Sequence, residues 1–478
     1  MKRAIILASV FAMVCGLACG CTPKPADSSG GGTSSGAGGG SAPASAVEEK
    51  RETRNLGTTI TIATFAGNIW APAEGATEIG DAALACLDAV KKELGVEIKV
   101  ELYDYIGLLE SASTTIASGA KFADILSPCM FQSSSYVVGD LVQDLSKISS
   151  LDLGKAYWNQ RVKNLATIKD KTYFAANSLL QLYDSMSVCF FNKRILDECS
   201  LENPYDLVRD GKWTIAKFRE MAKAATKDID GAAGMTVDDQ WGVALIDPLG
   251  NLSDQMVGIY NTDFYKKQAD GTIQYNGTDP VLLDAISMAQ KITVTDQIAI
   301  GNKPDEELTM ARDIFMAGNA LFFPFTLSYY TSFLGMDDEW GIVPLPKADE
   351  SKEYFSWYDW NKPVIMVPKT VTGTDLENVG YVLDSIAYHS QQVGALTAEI
   401  IKDRLWDETA GEMLDISNGI ACFTYRQFFG HAYAELGNAS YSVLFQCMGD
   451  ANVTPISLIE PQVEVAESIL SDFMNNLR

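Results

Sequence analysis

Apolar and β-branched residues alternate with small ones in the segment TTITIATF from Thr58, a period of two that predicts a strand ending before Gly67. Helical spacing follows from Asp81 to Leu94 and stops at Gly95. VEIKVELYDY reads as a second strand, LLESASTTIASG as a helix closed by Gly119, and FADILSP as a short strand closed by Pro128. Strand, helix, strand, helix, strand is the alternation of a parallel α/β sheet. Open sheets of this kind meet ligands at the carboxyl ends of their strands, so the loops after Phe65 and Leu126 are the first places to look for a site.

Farther along the pattern mixes. TYFAANSLLQLYDSMSVCFFN reads as extended and aromatic. Thr214 suits the N-cap of a helix on which Ile215, Phe218, Met221 and Ala222 share a face. Trp213, just before that cap, reads as a structural staple. PVLLDAISMAQKIT and ELTMARDIFMAG predict amphipathic helices, WGIVPLP and KPVIMVPK predict strands punctuated by Pro, and the chain from Val379 reads mainly as helix. No internal repeat is visible.

The first residues depart from all of this. Lys2 and Arg3 precede an apolar run from Ala4 to Val14, too short to span a bilayer and right for a signal-peptide core. Ala18-Cys19-Gly20-Cys21 resembles a bacterial lipobox, with Cys21 preferred over Cys19 as the lipidated residue and 1–20 as the leader. Residues 21–56 are rich in Gly, Ser, Ala and Pro and lack large apolar side chains, which predicts a flexible tether. A tether of that length holds a globular body roughly 30 Å from a membrane surface. The expected location is the extracytoplasmic face of a bacterial cell membrane.

Composition narrows the chemistry. The 478 residues include 37 Lys+Arg against 62 Asp+Glu, a formal charge of −25, which disfavours nucleic acid as a partner. With only 2 His, His389 and His431, neither a His-rich metal site nor a His-based catalytic engine is favoured, and no cofactor is expected. Cys86, Cys129, Cys189, Cys199, Cys422 and Cys447 remain after processing, and an exported chain permits them either disulfides or burial as apolar residues. Asp228-Ile229-Asp230-Gly231 reads as an Asp-Gly turn, because the third acidic ligand before Gly and the closing Glu of a calcium loop are missing.

Taken in order, several segments resemble the extracellular solute-binding proteins of ABC importers, the family-1 group with maltose-binding-like sugar receptors. They are the lipobox and tether, TITIATFAG, FADILSP with Val138 to Leu145, CFFNKRIL, NPYDLVRDGKWTIAKF, DGTIQYNGTDP, IFMAGNALFF and WGIVPLPK. The aromatic run Trp357 to Trp360 and the cysteines are not general features of that family. The resemblance implies an α/β, two-lobed periplasmic-binding-protein-like fold of type II, connected by a hinge. Lobe one is expected at 57–178 and 321–370, and lobe two at 179–320 and 371–478. It implies a monomer that captures a carbohydrate by hinge closure and delivers it to ABC permease subunits, with no covalent chemistry.

Sugars present apolar C–H faces and hydroxyl edges, which aromatic rings and polar side chains match. Trp357, Tyr358, Asp359 and Trp360 form the best local match, directly before KPVIMVPK. Phe65, Asn68 and Trp70 follow the first strand, and Ser127 ends the strand FADIL. Asn177, Gln181 and Tyr183 lie where the chain is expected to cross between lobes. Trp241 opens the strand WGVALI, Phe325, Thr326 and Tyr329 follow IFMAGNALFF, and Tyr425 with Arg426 is a late pair. Two other functions compete. An exported glycoside hydrolase needs two carboxylates, of which Asp359 is the best single choice. A receptor for peptides or polyamines would share the fold.

Overall fold

The computed structural model describes residues 51–246, 251–301, 309–405, 407–430 and 432–477. The expected leader 1–20, lipidated Cys21 and the tether as far as residue 50 lie outside the described residues. The body starts earlier than the expected boundary at 57. The Arg54 amide donates to the Glu93 carbonyl and the Leu56 amide to that of Leu94, both at 2.8 Å.

The first sheet follows the predicted alternation. β1 (Thr59–Thr64) lies between β2 (Glu97–Leu102) and β3 (Ile125–Ser127), parallel to both. Helix α1 (Glu78–Leu94) begins where the Thr77 side chain accepts the Gly80 amide and ends at Gly95, whose φ of 58° is left-handed. Ala83, Leu87, Val90 and Leu94 form its buried face. Helix α2 (Tyr105–Ala117) is capped by the Asp104 carboxylate, which accepts the Ile106 and Gly107 amides. The segment KPVIMVPK joins this sheet through bridges of Met366 to Leu126, Ile365 to Ala175 and Pro368 to Val142.

The second sheet has five strands: β4 (Ser187–Asn192), β5 (Trp241–Leu245), β6 (Ala299–Gly301), β7 (Ala320–Thr326) and β8 (Trp340–Val343), in the order β6-β5-β7-β4-β8. β5 is parallel to β6 and β7, while β4 runs antiparallel to β7 and β8. The predicted helix α3 (Ile215–Ala225) packs on it, and the Trp213 indole donates to the Pro344 carbonyl at 2.8 Å, as a staple should. Where one long extended stretch is expected from Thr172 to Asn192, only β4 is a full strand. Two 3-10 turns, Ser178–Leu180 and Tyr183–Ser185, bend the chain between the sheets.

The expected lobe boundaries need correction. β7 and β8, assigned to lobe one, pair with β4 of the second sheet. Helices α4 (Gly373–His389) and α5 (Gln391–Leu405), assigned to lobe two, pack on α1 of the first. Cys86 Sγ donates to the Ile386 carbonyl, and His389 Nε2 sits 2.7 Å from the Glu93 carboxylate, across the α1–α4 seam. Sheet membership is set by pairing partners distant in sequence, which local periodicity does not report.

Three strands cross from sheet to sheet side by side. β9 (Ser356–Trp357) pairs in parallel with β10 (Ala421–Cys422), and Tyr358 bridges Met186 just before β4. Ser187 Oγ accepts the Trp357 amide at 2.9 Å, and Ser356 Oγ donates to the Ser187 carbonyl at 2.9 Å. Few residues change sheet here, and they are tied to one another, as a hinge requires. All six cysteines of the body are free thiols.

Candidate functional site

Half-buried aromatic rings gather beside these crossings. From the first sheet come Phe65, at the carboxyl end of β1, and Tyr105, just past the carboxyl end of β2. Their rings meet edge to face at 5.9 Å. The Tyr105 hydroxyl reaches the Cys129 thiol, which also donates to the Trp360 carbonyl at 3.1 Å. The Trp360 ring lies 5.2 Å from that of Phe131. From the second sheet, Phe325, the penultimate residue of β7, and Tyr329, just past its carboxyl end, meet edge to face at 4.9 Å. Tyr441 completes the group: it neighbours Tyr105 electrostatically and carries the Arg426 guanidinium 4.2 Å over its ring.

The Asp359 carboxylate stands beside these rings. Burial holds Asp359 above the usual carboxylate range, against the Asn361 amide and the Lys362 charge, which pull it down. Lys362 is itself paired at 2.7 Å with Asp184, in the 3-10 turn that leads into β4. Burial chiefly, then the charge of Asp359, raises the Tyr329 hydroxyl. Burial likewise pushes the Cys129 thiol up to about 12, so it is an inert part of the floor rather than a nucleophile. The site thus offers several ring faces, the Asp359 carboxylate and the Lys362–Asp184 pair beside it, whose Asp184 charge also acts on Asp359, with no activated nucleophile among the groups described.

The expected residues divide between this site and the core. Phe65 and Trp360 belong to the first group of rings and Phe325 and Tyr329 to the second, and the charge of Asp359 acts on Cys129 of the one and Tyr329 of the other. Trp70 and Ser127 do not serve as expected: both are buried, and the Trp70 indole donates to Ser127 Oγ at 2.9 Å, so each satisfies the other inside the first sheet. Trp241 is also displaced. It is buried, its indole donates to the Thr236 carbonyl, and it pairs with Ala320, at the end of β7 opposite Thr326. Trp357 and Tyr358 are buried in the hinge ladder; the Tyr358 hydroxyl accepts from Asn159 and its ring meets Phe423. Thr326 is buried, with its hydroxyl 3.0 Å from that of Ser328.

Asn68 is exposed in the turn after β1. Asn177 is buried and caps the Leu179 amide, Gln181 closes the same turn at a φ of 51°, and Tyr183 keeps a half-exposed ring beside the hinge. Tyr425 and Arg426 open helix α6 (Tyr425–Phe429), where their amides donate to Asp263. Three ring contributors were absent from the expectations. Tyr105 sits where the carboxyl-end rule points for β2, so the signal was present. Phe131 and Tyr441 lie in a 3-10 turn and a π-turn, which carry no local mark of facing a cleft.

The acidic loop contains the expected Asp-Gly turn, and the carboxylates of Asp228, Asp230 and Asp239 lie within 4.8 Å of one another. Gly231 has a φ of 72°, and backbone amides fill the carboxylates: Gly231 donates to Asp228, Ala232 to Asp230, and Ile229 and Thr236 to Asp239.

No protein-family profile matches the sequence, and no curated relative matches it. Solved structures do. The ABC substrate-binding protein Lmo0181 from Listeria monocytogenes, in complex with cycloalternan, superposes with a TM-score of 0.56 at 15% identity over 87% of this chain and 99% of that one. UspC from M. tuberculosis gives 0.60 at 16% over 86% and 99%. A cyclo/maltodextrin-binding protein complexed with maltotetraose gives 0.58 at 13% over 88% and 99%. At these identities the likeness is one of fold, and this chain has the two-lobed fold of ABC substrate-binding proteins.

Proposed function

We propose that this protein is the lipid-anchored, extracytoplasmic substrate-binding component of an ABC importer, and that it captures an oligosaccharide between its lobes. The observation that carries the reading is the convergence of Phe65, Tyr105, Phe131 and Trp360 on one side with Phe325 and Tyr329 on the other, around Asp359. Ring faces suit the C–H faces of sugars, while Asp359 and Lys362 suit their hydroxyls. The lobes close about the crossings at 185–187, 356–359 and 421–422, and the closed state docks on a permease. The structural neighbours include proteins solved with cycloalternan and maltotetraose, which supports a saccharide ligand. The protein acts by binding and release, without turning its ligand over.

The test is a titration of the mature chain with linear and cyclic oligosaccharides, peptides and polyamines. Melting temperature and tryptophan fluorescence report binding, and chromatography reports the fate of the ligand. A saturable upward shift with a saccharide recovered intact supports the proposal. A shift with peptides or polyamines alone overturns the saccharide assignment, and consumption of the sugar overturns the binding role.

A further inference from the structure

A glycine stands behind one of the rings of the site. Gly430 follows helix α6, and its φ of −57° and ψ of −27° are right-handed helix, which any residue adopts. Its backbone does not call for glycine, but its surroundings do. A Cβ built there would overlap Cδ2 and Cε2 of Phe131 and stand 3.0 Å from Cζ. The Phe131 ring thus fills the space a side chain at 430 would take, and the same ring lies 5.2 Å from that of Trp360.

Of the two partners, the helix end is the firmer. Thr424 and Gln427 cap α6 reciprocally, Asp263 accepts the Tyr425 and Arg426 amides, and Gln427 Nε2 donates to the Tyr358 carbonyl at 2.9 Å. Phe428 and Phe429 are buried, and both meet the Phe473 ring. The Phe131 amide is held by the Trp360 carbonyl, but the Phe131 ring is only half buried. A methyl group at 430 therefore turns the ring and leaves the helix in place.

We infer that Gly430 is a positioning residue for the ligand: the space it leaves sets the angle of Phe131 against Trp360, and it acts on the sugar through that ring. The inference rests on the saccharide reading and deepens it.

Calorimetry with maltotetraose on the mature chain tests this in a cycle of Gly430→Ala, Phe131→Ala and the double variant, with melting temperatures as the check on folding. Gly430→Ala weakens binding about tenfold, the order expected when a ligand loses one ring face, and Phe131→Ala weakens it by a similar factor. With the ring gone the methyl group displaces nothing, so the double variant matches Phe131→Ala within about twofold. A merely structural glycine moves the melting temperature alone. A Kd for Gly430→Ala within about threefold of the native value therefore overturns the inference and leaves the saccharide reading standing. Losses that multiply to about a hundredfold in the double variant also overturn it, because Gly430 then acts through something other than Phe131. Should Gly430→Ala fail to fold, the double variant decides between the same two outcomes, since it requires no movement of a ring. A native chain that does not bind maltotetraose removes the maltodextrin-type site on which the inference rests, and the inference falls with it.

Discussion

Truncation of Trp360 to Ala separates ligand binding from folding, because the structure holds the backbone there without the indole. The Trp360 carbonyl accepts both the Cys129 thiol and the Phe131 amide, at 3.1 and 3.2 Å, and those bonds survive truncation. One flank of the indole already lies against Phe131, and the remaining exposure leaves roughly 80 Å² for a ligand to cover. At about 25 cal/mol per Å² that is about 2 kcal/mol, or about thirtyfold in Kd. Truncation also costs stability, about 1–3 kcal/mol, since the ring is partly buried against Phe131. Calorimetry against the best oligosaccharide of the panel measures the first quantity and thermal unfolding the second. Trp360→Phe restores most of the affinity, because a ring face suffices. A Kd for Trp360→Ala within about threefold of the native value would refute the placement of the sugar on this ring.

Three other expectations follow from residues outside the site. Trp70→Phe strips the buried Ser127 hydroxyl of its donor, costing about 1–3 kcal/mol of stability by chemical denaturation with Kd unchanged; a large Kd effect at native stability returns Trp70 to the site. Trp241→Phe lowers the melting temperature and leaves the Kd within error, since Trp241 opens β5 beside Ala320, at the end of β7 away from Phe325; weakened binding contradicts the register. Burial pushes the Asp263 carboxyl up to about 7, against backbone amides that pull it down. Its folded value therefore exceeds the unfolded one of about 4, and the folded state holds the extra proton between them. The stability this contributes is complete below about pH 4 and is lost as pH rises through 7. Asp263→Asn removes that loss, so its melting temperature relative to the native chain rises from pH 5 to pH 8; a constant difference refutes the shifted carboxyl.

The first sheet was legible because its evidence is local. Period two in TTITIATF, helical spacing to Leu94 and the breakers Gly95 and Pro128 each speak about their own few residues, and β1 to β3 follow them closely. Lobe membership was not legible in the same way. IFMAGNALFF announces a helix and a strand, but nothing in it says that β7 pairs with β4 rather than beside β1. The site shows the same division. The carboxyl-end rule located Phe65 and pointed at Tyr105, yet it does not say which side chains turn inward, and so it also selected Trp70 and Ser127, which bond to each other. In the run from Trp357 to Trp360 the hinge ladder buries the first two aromatics, and the turn after it presents Asp359 and Trp360 to the site.

The most direct measurement is a crystal structure of the mature chain with the tightest-binding oligosaccharide. The account predicts closed lobes, with sugar rings lying between Phe65, Tyr105, Phe131 and Trp360 on one side and Phe325 and Tyr329 on the other, and Asp359 within hydrogen-bond distance of a hydroxyl. A saccharide seated elsewhere on the protein, or lobes that stay as they are with this aromatic site empty, would contradict it.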